Sequence, residues 1–433
     1  MFHLAFYADD FTGSTDALES LACAGLRTAL FLEPPSPAAL ARHGDLQAVG
    51  VAGLTRSLTP EGMEATLRPA FAALKALGPR HVHYKVCSTF DSSPAIGSIG
   101  RAIEIGLDVF DQRWVPLLVG APALGRFCVF GQLFARFGIG SKGAIHRLDR
   151  HPALSQHPVT PMHEADLLRN LAAQTSLAGA LVDVLALDAP LDETAAALAH
   201  RLEDPATRIV LFDGLTAPHL TRAGTLIEQA QQARGAPWFS VGSSAVGTAL
   251  GATWQSTGEV TPRTAWPQLA PVEALLVISG SCSPVTSQQI AWAEGQGFAV
   301  LNVAPASGAI AQATSEATAH LRAGQSVIVC TSRGHSDTPA PAAEVGGALG
   351  RLAHEALAAT GLCRLLIAGG DTSSYAGRAL GIESLTMLAP LAPGAPLCLA
   401  SGNGLPVPNL EVNFKGGQVG APDYFATVRR GTL

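Results

Sequence analysis

Asp9 and Asp10 stand side by side where the apolar run FHLAFYA stops and DDFTGSTD begins. Strand ends are where α/β proteins place ligands. Paired acids there can take a proton from a reacting hydroxyl or hydrogen-bond the alcohols of a polyol. A helix cap is the plainer use of either one. Two further strand ends carry similar chemistry: Thr55-Arg56-Ser57, and the run Tyr84-Lys85-Val86-Cys87-Ser88-Thr89 that continues to Asp91. In a parallel sheet these ends share one edge, so carboxylates, hydroxyls and two cations are expected to converge. Arg56 and Lys85 are expected to clamp a carboxylate, Arg by a planar fork and Lys as a point charge.

The second half of the chain has different punctuation. Ser279-Gly280-Ser281-Cys282-Ser283-Pro284, Gly369-Gly370-Asp371-Thr372 and Lys415-Gly416-Gly417-Gln418 each follow an apolar strand with small residues. The first two lead into helices. Such turns expose backbone N–H groups, and a helix N-terminus adds a favourable dipole, which together suit phosphate oxygens. Asp371 is either an N-cap or a ligand for a metal that bridges phosphates. The Walker pattern GxxxxGK[ST] and the GxSxG elbow are absent, so neither a P-loop protein nor a hydrolase of that type is expected. The stretch His146 to Pro152 is dense in ionisable groups but lacks HxxxH spacing, and a structured loop is the expectation there.

The elements that would hold these groups alternate as in doubly wound α/β proteins. Strands are expected at Phe2–Ala8, Arg27–Glu33, Ala48–Leu54, His81–Cys87, Val115–Gly120, Ala180–Leu187, Arg208–Asp213 and Trp238–Val241, with helices between them. Residues 255–272 carry three prolines and no period, and read as a connector. Alternation then restarts at Ala274–Ser279 and runs through Arg364–Ala368 to a helix from Ser374. The expected organisation is a first α/β domain over 1–256, a linker over 257–272 and a second over 273–433, both with largely parallel sheets and with a cleft between them.

The totals exclude several classes. The 433 residues are 48% hydrophobic and 14% charged, with a net charge of −6, which gives no electrostatic footprint for nucleic acid. No polybasic run suggests a membrane surface, and no apolar stretch approaches the roughly 20 residues that cross one. The seven cysteines form no CxxC and read as small buried hydrophobes. No secretory leader is expected, and the expected setting is the cytoplasm.

Five blocks together resemble the four-carbon acid sugar kinase family: YADDFTGSTD, YKVCSTFDSSP with the following IGSIG, SGSCSPVTSQQI, IAGGDTSS and KGGQVGAPDYF. The resemblance spans essentially the whole chain. It implies ATP-dependent phosphorylation of a terminal hydroxyl on a small sugar acid such as threonate, erythronate or 3-oxo-tetronate, with Mg²⁺ accompanying ATP. It also implies that Asp9, Arg56 and Lys85 to Ser88 contact the acid, and that Ser281, Gly369 to Thr372 and Gly417 contact ATP. Tyr84, Asp91, Ser279, Ser283, Lys415, Gly416 and Gln418 join these sets as neighbours within the same blocks. Asp9 or Asp10 would be the catalytic acid–base group, with the choice between them open. Where many relatives end in KSGNFG this chain has KGGQVG, which points to a subgroup with a less common acid, a branched one such as 3-oxo-isoapionate among them. Ser401-Gly402-Asn403-Gly404 mimics the usual block without its lysine and reads as a decoy. An NAD-dependent sugar-acid dehydrogenase and a non-catalytic sugar-acid sensor are the rival readings, and a homodimer is the ordinary expectation for assembly.

Overall fold

The strand Leu4–Ala8 is buried at all five positions, as expected of a strand covered by helices on both faces. The structure is a computed structural model and describes residues 1–137, 143–155, 161–304, 307–332 and 341–431, with the side chains of Ser307 and Asp371 outside the described set. Leu4–Ala8 lies between Ala48–Ala52 and His81–Lys85, parallel to both, with Ala8 in register with Ala52 and with Lys85. Trp238–Gly242, Val115–Leu118, Thr207–Phe212 and Ala178–Val182 extend the parallel array in that order. The expected run Ala180–Leu187 is divided: its strand ends at Val182, and Asp183 caps a short helix, Val184–Asp188.

The strand that delivers Lys85 is tied down at its other end. Glu228, buried on the helix Ala217–Arg234, lies 2.8 Å from His81 Nε2, accepts Trp254 Nε1–H at 2.9 Å and pairs with Arg80. Burial alone would raise its pKa, but the His81 and Trp254 hydrogen bonds and the Arg80 charge hold it at about 2. Above this network Tyr84, Phe71, Phe110 and Phe239 pack ring against ring in one core.

An antiparallel sheet of Arg126–Val129, Gln132–Arg136 and Ile145–Arg147 was not expected from the sequence. Gly125, at φ +66°, turns the chain into its first strand, and Gly131, at φ +75°, lies in the turn between the first two. The elements described so far belong to one unit, formed by Met1–Thr28, Pro34–Phe137 and 143–264.

A second unit comprises Ala29–Glu33 and 265–431. Its strands run Ala299–Asn302, Val327–Cys330, Leu276–Ser279, Arg364–Ala368 and Glu411–Lys415 in parallel, then Leu397–Ser401 and Ser384–Ala389 antiparallel. The strand expected at Arg27–Glu33 is shorter, Thr28–Phe31, and Leu30 and Phe31 pair antiparallel with Leu385 and Ser384, so this early segment belongs with the late ones. Pairing across hundreds of residues leaves no mark on local pattern. Arg364, 2% exposed, fastens its strand through Glu411 at 2.6 Å and the Ala270 carbonyl at 2.9 Å. Among the described residues no helix is long and apolar enough to cross a membrane.

Replacing Glu228 by Ala leaves Arg80 and His81 without their buried partner and should cost about 3–5 kcal/mol, read by urea unfolding at neutral pH. Because the folded pKa is depressed, the Glu228 contribution should be complete above the ordinary glutamate value and be lost as pH falls towards about 2. An unchanged unfolding midpoint in the variant would show that the network carries no stability.

Candidate functional site

Asp10 leaves the first strand as the N-cap of the helix Phe11–Ala24. Its Oδ1 accepts the Gly13 N–H at 2.8 Å; its Oδ2 accepts the Thr12 hydroxyl at 2.9 Å and meets Arg56 Nη2 at 2.7 Å. A Cβ on residue 13 would fall 2.3 Å from Asp10 Oδ1 and 3.0 Å from Lys85 Nζ, which is why glycine stands there. Lys85, 1% exposed, reaches Asp16 Oδ2 at 3.3 Å and donates to the Val86 carbonyl at 3.0 Å. Asp91 lies 3.9 Å from Arg56 Nη1 and accepts the Thr89 hydroxyl at 2.9 Å; that oxygen is also 2.9 Å from Cys87 Sγ.

Asp9 is placed differently from its neighbour. Its N–H donates to the Lys85 carbonyl at 2.9 Å, and its own carbonyl accepts the Arg56 N–H at 3.1 Å. The backbone is thus locked between the two neighbouring strand ends. Its side-chain Oδ1 is buried and has no hydrogen-bond partner among the described residues. Burial foremost, then the Asp10 charge, pushes the Asp9 carboxyl up to about 7 against the pull of Arg56 and Lys85. For Asp10 burial pushes the same way, but Arg56, Lys85 and the Thr12 and Gly13 hydrogen bonds hold it below the usual range. Two adjacent carboxyls are therefore driven apart in acidity by their partners.

Arg56, Lys85, Cys87, Asp91 and Ser88 accompany the two acids at this edge, whereas Tyr84 and Val86 turn away from it. Both side chains lie in the core, with the Tyr84 hydroxyl 2.9 Å from Thr55 Oγ1 and Val86 offering only its carbonyl. Strand alternation explains it: Lys85 takes the opposite face from its two neighbours. Asp16, the partner of Lys85, is a residue the sequence reading missed, although it sits one helical turn beyond Gly13. The stretch His146 to Pro152 is engaged with itself: Arg147 pairs with Asp149 at 2.5 Å, and His151 Nδ1 accepts the Ala153 N–H at 3.2 Å.

In the second unit the first and third small-residue turns meet at Thr286, also missed from the sequence. Its hydroxyl accepts from Lys415 Nζ at 3.0 Å and Ser281 Oγ at 3.1 Å, and donates to the Gly417 carbonyl at 2.9 Å. Those three bonds use its whole capacity. Gln289, one turn further along the helix Pro284–Gly295, donates to the Val419 carbonyl at 2.9 Å and the Ala421 carbonyl at 3.0 Å. Ser281 N–H points to Ser279 Oγ at 3.3 Å, and Ser283 N–H to Ser281 Oγ at 3.3 Å; Ser283 Oγ is buried with no partner among the described residues.

Gly369, at φ +114°, is the N-cap of a helix that starts at Gly370, four residues earlier than expected. Asp371 is therefore not the cap; its backbone lies in the first turn, with Thr372, and its side chain is outside the described set. Gly369 N–H donates to the Lys415 carbonyl at 3.0 Å, which brings the second and third turns together. Gly416 and Gln418 are partly exposed on the third turn. Lys415 itself is fully buried, and burial lowers its pKa to about 7 with no carboxylate among the described residues to oppose it. Ser401 to Gly404 pack elsewhere, with Asn403 N–H on Glu383 Oε1 at 3.3 Å.

Residues 4–250 match the family model of a sugar-binding N-terminal domain, and residues 276–425 that of a nucleotide-binding C-terminal domain. The chain is 40% identical to a 3-oxo-isoapionate kinase of Paraburkholderia graminis, over 99% of this chain and 94% of that protein. It is 32% identical to a 3-oxo-tetronate kinase of Methylobacterium radiotolerans, over 98% and 97%. A solved structure from Salmonella typhimurium LT2 matches with TM-score 0.78 and 27% identity, over 100% of both chains.

Substituting Asp10 by Ala removes a cap worth about 1 kcal/mol and also orphans the Arg56 guanidinium, so the total loss should exceed about 2 kcal/mol. Urea unfolding of the variant measures it. A loss no larger than that of an ordinary cap would mean that Arg56 does not depend on Asp10.

Proposed function

Because the chain belongs to the four-carbon acid sugar kinase family and is an ATP-dependent sugar-acid kinase, we propose that its acceptor is a branched 3-oxo acid of the 3-oxo-isoapionate kind. The higher identity to the isoapionate enzyme, together with the KGGQVG block, supports this choice over the straight-chain 3-oxo-tetronate. The dehydrogenase and sensor readings are the less favoured ones. ATP as phosphoryl donor fits a cytoplasmic setting.

The observation that carries the assignment of roles is the contrast between the neighbouring carboxylates. Asp10 is saturated by Gly13, Thr12 and Arg56; Asp9 keeps a buried oxygen without a partner. We assign Asp9 as the base. Its Oδ1 accepts the proton of the acceptor hydroxyl while that oxygen bonds to the γ-phosphorus and the bond from phosphorus to the β,γ-bridging oxygen breaks, releasing ADP. Such transfers rest on positioning and charge stabilisation more than on covalent help. Lys415, Ser281, Ser283 and the N–H groups of Gly370 to Thr372 and Gly416 to Gln418 would cradle the phosphates. Mg²⁺ would supply charge neutralisation at the phosphates, with Asp371 as the residue the sequence offers to hold it.

The test is ADP release with 3-oxo-isoapionate, 3-oxo-tetronate, threonate and erythronate. The branched acid should give the highest kcat/KM, and release dependent on none of them would sink the reading. Asp9→Asn should lower kcat by about a thousandfold with the KM for ATP unchanged. With the unmodified enzyme, kcat/KM for the acid should rise as pH increases through about 7, because only the deprotonated Asp9 accepts a proton. A flat profile with an active Asn variant would remove Asp9 from the chemistry.

Lys415 gives a separate readout. An anionic ligand favours its charged form, so ATP binding at pH 8 should take up a proton, detected by calorimetry in buffers of different ionisation enthalpy. Lys415→Met should lose that uptake and weaken ATP binding by on the order of 100-fold. Uptake that persists in the variant would place the phosphates elsewhere.

A further inference from the structure

Both cations expected to hold the acid's carboxylate are already paired. Arg56 is 2.7 Å from Asp10 and Lys85 is 3.3 Å from Asp16. Four aspartates, Asp9, Asp10, Asp16 and Asp91, surround these two cations. A ligand that brings a further negative charge needs a cation that the protein has not itself neutralised.

Arg126 is such a residue. It opens the antiparallel sheet that covers the same edge of the first unit. Its N–H donates to the Ala121 carbonyl at 3.1 Å, just beyond the strand Val115–Leu118. The sheet is held there by the Cys128 N–H on the Gly214 carbonyl at 3.2 Å, and by Asp213, which accepts the Phe130 and Gly131 N–H groups at 2.6 and 3.0 Å. Asp213 and Gly214 follow directly on the C-terminal end of Thr207–Phe212. That end and the ends carrying Asp9, Arg56 and Lys85 are on one side of a parallel sheet.

The Arg126 side chain is 2% exposed. Its Nη1 donates to the carbonyls of Arg136 at 3.0 Å, Leu124 at 3.3 Å and Gly125 at 3.4 Å. Its Nε is buried, and among the described residues Arg126 has neither an acceptor for it nor an ion-pair partner. Cys87, Asp91 and Asp16 of the corner act on it electrostatically, in that order. A buried guanidinium with an unused N–H is costly unless an anion completes it. The Nε edge is the one that carboxylates engage side-on.

We propose that Arg126 receives the carboxylate of the acceptor acid and is the residue that selects acids over neutral polyols. Arg56 and Lys85 then order the aspartates, which bind the hydroxyls. The assignment rests on the reading that this unit binds the sugar acid.

The experiment compares whichever of the four acids is phosphorylated with its own carboxamide, in the unmodified enzyme, Arg126→Met and Arg126→Lys. Arg126→Met should raise the KM for the acid by on the order of 100-fold, with the KM for ATP unchanged. The preference for acid over amide should collapse. Arg126→Lys, which keeps the charge and loses the fork, should fall between them and covers the case in which the Met variant does not fold. A retained preference for the acid in either well-folded variant, equal to that of the unmodified enzyme, would overturn the assignment. Failure of the unmodified enzyme to phosphorylate any of the acids would instead overturn the kinase reading and take this assignment with it.

Discussion

The Asp10 carboxylate does three things at once, and the acceptor corner depends on all of them. It caps the helix Phe11–Ala24, accepts the Thr12 hydroxyl and holds Arg56 at 2.7 Å. Each bond fixes a different piece of chain: the helix entry, the turn, and the end of a neighbouring strand. The cost of burying this charge is offset because both of its oxygens find donors. With Asp10 so occupied, Asp9 is left beside a fixed negative charge in a buried place, and its carboxyl is driven up to about 7. An acid of ordinary strength thereby becomes a base suited to neutral pH.

The corner is rich in acids for a site that takes an anion, and its geometry resolves the conflict. Lys85 and Asp16, Arg56 and Asp10, Thr89 and Asp91 are paired within the protein. What they present together is a set of acceptors held in place, suited to the hydroxyl donors of a polyol. In the proposed assignment, charge recognition is separated from hydroxyl recognition and falls to the covering sheet, where a guanidinium is buried without an acid of its own among the described residues. Separation of this kind lets one parallel edge orient a reacting hydroxyl while another element selects the ligand.

The nucleotide-binding unit solves a related problem with a neutral group. Thr286 joins Lys415, Ser281 and Gly417 through one hydroxyl that accepts twice and donates once. A carboxylate in its place could accept from Lys415 and Ser281 but has no proton to donate to the Gly417 carbonyl, and it would neutralise Lys415. The threonine leaves that ammonium buried with no carboxylate partner among the described residues, and burial depresses its pKa.

Much of this was legible in the chain itself. Paired acids after an apolar run and three turns of small residues after apolar strands act locally, through backbone conformation and strand period, so the sequence carries them directly. The strand ends at Asp9, Arg56 and Lys85 could be brought to one edge because a parallel sheet leaves no other arrangement. Period-2 alternation also determined that Tyr84 and Val86 turn into the core, although motif membership had counted them as contacts. Other features depended on partners far away in the chain. Leu30 pairs with Leu385, Thr286 bonds to Lys415, and Arg126 is held at its place by its own N–H on the Ala121 carbonyl and by the Cys128 N–H on the Gly214 carbonyl. The residue types set which chemistry was available. Tertiary packing decided which of those groups the protein satisfied itself and which it left for a ligand, because satisfaction is a matter of distances between residues that no local pattern encodes.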